Sequence, residues 1–329
     1  MTALRVQSNF GLTLRRHCSI RVLSVPKRLL PTQNPRVRLL QRTSPFTTLF
    51  RRTIATPSFN MAMKPVYQYD EALRSHPARV SAIRPYSELS DPEKALFKTG
   101  DDSTSVLEMN ETIFYAQGGG QPFDIGTIVG QDSEGEEVTF EVQAVRNAPE
   151  GRVLHFGTFK SGSFAIGAAV EQCIDGKRRD SNSKSHTAGH IIGLAVRRLV
   201  EKTPELDASE LKAQHYPEAS FVEFKGIIDG KYKDKIQQQA TQYVKDALPV
   251  KLYWFKPDEL AANRVITAEG MPIVAGQDGF VRVVDIVGAG AYPCGGTHVP
   301  DTSHVGQITV KTIKTKKGVS KISYSVNGT

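Results

Sequence analysis

Along the chain, polar and apolar residues change their rhythm near residue 168. Before it, short runs are alternating or apolar: "VTFEVQAV" at 138–145 puts every second side chain on one face, the period of a half-buried strand, and "RVLHFGTF" follows at 152–159. "SVLEMNETIFY" leads into the glycine-rich "AQGGGQPFDIG" at 116–126, and turn residues separate the other runs. Several short strands spaced by turns predict a small antiparallel barrel over 64–167.

After it the period mixes. "VEQCID" reads as a strand. "NSKSHTAGHIIGLAVRRLVEK" reads as a helix capped by Asn182 or Ser183. "KYKDKIQQQATQYVKDAL" repeats apolar residues at helical spacing (Ile236, Ala240, Tyr243, Val244, Ala247, Leu248) until Pro249 stops it. "SFVEFKGII", "PVKLYWF" and "FVRVVDIVG" predict strands, and 306–326 a hairpin around Gly318. The expected fold class is α+β: the barrel, then an α/β sandwich over 168–329 with helices against an antiparallel sheet.

Charge changes the picture at one end. The net charge of +8 is uneven: residues 1–69 hold twelve Lys or Arg and no acid, while 70–329 hold 30 basic and 34 acidic residues. The body is therefore slightly acidic, and contact with nucleic acid must come from local patches. Residues 1–60, rich in Arg, Ser and Thr, have the composition of a mitochondrial presequence. Starts at Met61 or Met63 would add a cytoplasmic form. No apolar run approaches the roughly 20 residues of a membrane span. Three cysteines (Cys18, Cys173, Cys294) do not make a disulfide framework in a chain this long, which points to a reducing compartment or a metal role.

The candidate chemistry is a metal site. His186 and His190 are four apart, so on a helix they share a face. About a hundred residues later "YPCGGTHV" offers Cys294 and His298, with two glycines that let the loop fold back. Thiolate with imidazoles is a ligand set zinc prefers. The residue after His186 is Thr187, not the glutamate that His-Glu-x-x-His proteases need, so peptide hydrolysis of that type is disfavoured.

Taken together, "TIFYAQGGGQPFDIGTI" (112–128), "HTAGHII" (186–192) and "VRVVDIVGAGAYPCGGTHV" (281–299) resemble, in order, the motifs of the alanyl-tRNA editing proteins called AlaX and of the matching editing domain of alanyl-tRNA synthetase. The related threonyl enzymes typically read Cys-Arg-Gly-Pro-His where this chain has Gly295 and Thr297. "GVSKISYSV" is similar to the family's closing strand, except that Ser320 and Lys321 stand where an Arg pair is more usual.

The resemblance implies a free-standing hydrolase, without an aminoacylation core. It would deacylate tRNA for alanine mischarged with serine or glycine, a second sieve against errors that a pocket for alanine rejects poorly. No membrane and no obligate protein partner are expected. The alternative is an inactive, zinc-stapled module that binds tRNA or a partner. The resemblance implies one Zn2+ on His186, His190, Cys294 and His298. Thr187, Asp285 and His215 are the candidate catalytic or ligand-orienting residues. Gly118, Gly119, Gly120 and Gln121 are expected near the substrate. Phosphate contacts are expected from Arg178 and Arg179, with Lys177, and from Lys316 and Lys317, with Lys311 and Lys314.

Overall fold

The computed structural model describes residues 63–267, 273–276 and 278–327. The basic leader and the start at Met61 lie outside these. Six strands close a barrel: β1 (Ser75–Pro85), β2 (Ser105–Met109), β3 (Gly126–Gln131), β4 (Glu137–Asn147), β5 (Val153–Phe159) and β6 (Ala169–Ile174). They close in the order β1-β2-β5-β4-β3-β6, every pair antiparallel. Alternation turns Val138, Phe140 and Val142 of β4 inward against Leu107, Ile128 and Val170, and an irregularity after Val142 brings Val145 to the same side. The closing strand β6 lies past residue 167, so the barrel reaches into the stretch where the rhythm had already changed.

The helix α1 (Gly176–Glu201) follows at once. It begins several residues before the expected cap, because the side chain of Asp175 accepts the Arg178 amide. Consecutive charged residues in the first turns hid this start. α1 and α2 (Lys233–Lys245) cover one face of an antiparallel sheet. Its order is β12-β13-β8-β7, from β7 (Ser209–Gln214), β8 (Ser220–Lys225), β12 (Ile308–Lys316) and β13 (Val319–Val326). Ile191, Ile192 and Ala195 of α1 meet Val222, Phe224, Ile322 and Tyr324 in one apolar core. A second sheet runs β9 (Val250–Phe255), β10 (Val281–Ile286), β11 (Gly290–Pro293). The fold is α+β, as the alternating and helical periods imply. No helix among the described residues is long and apolar enough to cross a membrane.

Candidate metal centre

α1 presents His186 and His190 one turn apart, ring centroids 5.0 Å from each other. The chain leaving β11 brings Cys294 and His298 up to them. One ligand atom from each of the four residues lies within 4.8 Å of the others. Cys294 Sγ stands 3.4 Å from His186 Nε2 and 3.3 Å from His298 Nε2. Tetrahedral zinc with ordinary Zn–S and Zn–N bonds would set that edge at about 3.5 Å. Gly296 makes the approach possible: a Cβ there would sit 2.2 Å from the His186 ring.

Hydrogen bonds behind the rings decide which nitrogen faces the centre. Gln121 Oε1 accepts from the Thr297 amide at 2.9 Å, while its Nε2 donates to Thr297 Oγ1. The oxygen 2.7 Å from His186 Nδ1 is therefore an acceptor, and Nδ1 carries the proton. Thr187 Oγ1 donates to Ser183 O and accepts from the Val299 amide, so it can only accept from His298 Nδ1 at 3.1 Å. Both rings thus turn an unprotonated Nε2 toward Cys294. His190 Nδ1 is buried with no hydrogen-bond partner, a polar atom that the described residues leave unsatisfied.

Burial dominates the electrostatics. It pushes His190 down to about 4 and His215 to about 3, and, with the neighbouring imidazoles, holds His186 and His298 well below the ordinary histidine value. Neutral rings are the form that binds metal. Burial also raises the Cys294 thiol to about 11, so ligation would have to displace its proton. The loop is pinned by Arg282 of β10, which donates to Cys294 O (2.7 Å) and Gly296 O (2.9 Å) and pairs with Glu71. Glu71 also accepts the His298 amide, 3.2 Å away.

The cluster opens on a cavity of about 880 Å3 that reaches along α1 past Gly193 to Glu210 and Tyr292. His215 lies on its wall, stacked on His186 with centroids 4.4 Å apart. The Tyr324 hydroxyl donates to Ser185 O, so His215 Nδ1 donates to it at 2.8 Å and leaves Nε2 as an acceptor. Gly119 and Gly120 line the same cavity, and among the described residues their amides meet no acceptor. Gly120 has φ of +77°, and a Cβ on it would stand 2.5 Å from Ala213 O. Gly118 lies in the tight turn where its amide and that of Gln121 exchange bonds.

The remaining expected residues divide. Gln121 and Thr187, both fully buried, orient ligand rings from behind and do not line the cavity. Two expectations need correction. Asp285 does not reach a ligand: it pairs in register with Lys251 and Ala291 and, by strand alternation, lies on the opposite face of β10 from Arg282. Arg179 is fully buried, bonded to Asp124 and to the carbonyls of Ile113 and Glu71, and so cannot meet a phosphate. Arg178 is half-buried, while Lys316 and Lys317 stand exposed at the end of the β12–β13 hairpin, away from the cluster. Ser320 is buried and bonds Gly226 O and the Ile228 amide. Arg282, Glu71, Tyr324 and Glu210 were not foreseen. Arg282 carried a weak signal, a charge within a largely apolar strand that it shares with Asp285.

Comparison with known proteins adds the family. Residues 60–178 match the model for tRNA synthetases class II (A), and residues 281–323 that for the threonyl and alanyl tRNA synthetase second additional domain. The second match spans Cys294 and His298. The chain thus carries two segments related to the alanyl-tRNA synthetases. Among its relatives, the alanine–tRNA ligase of Methanosphaera stadtmanae is 29% identical over 237 residues, 69% of this chain and 24% of that one. Alanine–tRNA ligase 1 of Lachnoclostridium phytofermentans is 29% identical over 75% of this chain and 26% of its own. The ligase of Methanobrevibacter smithii is 30% identical over 68% and 24%. The chain thus spans about a quarter of the length of the curated relatives it matches.

Proposed function

We propose that this protein is a trans-acting hydrolase that removes wrongly attached amino acids, serine and glycine, from tRNA for alanine. The observation that carries the reading is the convergence of His186, His190, Cys294 and His298 on one point at the floor of a cavity. The donor set favours zinc over harder cations, because it is one sulfur and three imidazoles with no carboxylate. When bound, zinc would supply a Lewis acid beside the ester or a water of lowered pKa.

The chain's own residues do the rest. Gln121 and Thr187 hold the rings of His186 and His298 in the tautomer that offers Nε2. The amides of Gly119 and Gly120 are placed to donate to an ester oxygen as it gains negative charge. His215 Nε2 is placed to accept a hydrogen bond from the attacking water or from the substrate's hydroxyl. Residues 1–60 are read as a mitochondrial address, testable by fusion to a fluorescent protein.

The test uses the purified chain with seryl-, glycyl- and alanyl-tRNA for alanine. Serine and glycine should be released at least tenfold faster than alanine, and release should vanish in Cys294→Ala and after chelation. Tight binding of all three without release would show an inactive binding module instead.

A further inference from the structure

The glycine loop has a second side. There a cavity of about 990 Å3 opens between the barrel and the start of α1. Three segments line both cavities. In the loop, Phe123 faces this one while Gly119 and Gly120 face the metal centre. On α1, Asn182 faces this one and His186, one turn later, the other. Tyr216 lines this cavity and its neighbour His215 the other.

Lys98, Arg146 and Arg178 outnumber the one acid of the lining, Glu218, in a body that is slightly acidic. Arg146 and Arg178 place their guanidinium carbons 4.5 Å and 5.3 Å from the centre of the Phe123 ring. One Nε of each is tied to a carbonyl, Leu96 O for Arg146 and Phe123 O for Arg178, which fixes the guanidinium planes. Neither has a carboxylate partner among the described residues, whereas Arg74, Arg84, Arg152, Arg179 and Arg282 all do. Burial lowers the pKa of Arg146, the cost of holding a half-buried cation without a counterion. Asn182 is 2% exposed, and its Nδ2 finds no acceptor. Two fixed cations and an unspent donor at one cavity are a site for an anion with several oxygens.

We propose that this cavity binds the phosphodiester of a single-stranded RNA 3′ end, with phosphate oxygens on Arg146 and Arg178 and the rings of Phe123 and Tyr216 as the wall for a base. The assignment rests on the reading above, in which the terminal ester lies beside the cluster. Asn182 and His186 are about 6 Å apart along the helix axis. The strand then passes over the glycine loop, with its last phosphate in one cavity and its acylated ribose in the other.

The test is binding of a labelled, uncharged RNA tetranucleotide ending in CCA to the full chain over a range of salt. Arg146→Gln and Arg178→Gln should each weaken it by about tenfold or more and flatten the logarithmic salt dependence by about 0.7. Lysine at either position should keep the slope, which separates charge from folding. Asn182→Asp should weaken binding with both arginines intact. Gln variants that bind like the parent would overturn the assignment, and so would AMP binding as tightly as the tetranucleotide. If the tetranucleotide binds through these residues but no aminoacyl ester is cleaved, the hydrolase reading fails and this one stands. Cleavage with salt-independent, arginine-independent binding gives the reverse.

Discussion

α1 carries two buried polar clusters less than three turns apart, and they are built in opposite ways. At its start, Arg179 meets Asp124 as a fully buried ion pair, and carbonyls of Ile113 and Glu71 take up further guanidinium hydrogens. The Tyr115 amide donates to the same carboxylate oxygen, so only Asp124 Oδ1 is left over. Charge answers charge inside the chain. Around His186 and His190 there is no such closure: three neutral rings and a thiol face one another, and the nearest charges, Arg282 and Glu71, already answer each other. Buried polar groups need partners. The first cluster answers its own charge, with one carboxylate oxygen to spare, and holds the barrel to the helix; the second is a group that could hold a metal ion.

The largest expected effect breaks the self-sufficient cluster. Arg179→Leu leaves Asp124 buried and unpaired and should cost about 3–5 kcal/mol, read by urea unfolding. The double replacement of Arg179 and Asp124 by leucine should recover most of it. Recovery would confirm that the pair acts as a unit. An equally unstable double variant would mean that the backbone bonds, not the charges, matter.

Next come the residues behind the rings. Gln121→Ala and Thr187→Val should each weaken metal binding by about 10- to 100-fold, measured by competition with a chromogenic chelator, while Thr187→Ser keeps it. Both leave all four ligands in place, so unchanged affinity would remove the orienting role assigned to them.

A smaller effect follows from Glu210. Burial raises its carboxyl to about 7, above the value of 4.5 expected in the unfolded chain. The folded state therefore favours the protonated form, and this contribution is full below pH 4.5 and lost as pH rises through about 7. The buried histidines make both proteins more stable as pH rises toward about 6.5, so the carboxyl shows in the difference: between about pH 5 and about pH 8 the unfolding midpoint of the parent should drop by a few degrees relative to that of Glu210→Gln. Parallel profiles would place the carboxyl in water.

The smallest effect is at the hairpin. Lys316→Ala with Lys317→Ala should alter tRNA binding only through its salt slope, by at most about 1 per lysine, and leave metal content unchanged. A larger loss than at Arg146 and Arg178 would move the principal phosphate contacts to the hairpin.

Much of this was legible in the residues, for reasons that differ by element. Strands such as β4, and α2, could be read because one face is buried and the other wet, so periodicity survives. The four residues of the cluster could be read because each pair is local, four residues apart on a helix or across a glycine turn. The start of α1 was not legible, since burial of Arg179 by a distant Asp124 lets a charged turn face inward. Asp285 and Arg282 share a strand, and only register and alternation decide which one faces the loop. Glu71 and Tyr324 lie more than a hundred residues from the side chains they support, beyond the reach of local pattern.

Metal analysis of the purified full chain asks most directly whether the open cluster is completed by an ion. The account predicts one zinc per chain, with sulfur at about 2.3 Å and nitrogen at about 2.0–2.1 Å by X-ray absorption, lost in both His190→Ala and Cys294→Ser. A chain that takes up no metal, or one that keeps it equally well in both variants, would contradict it.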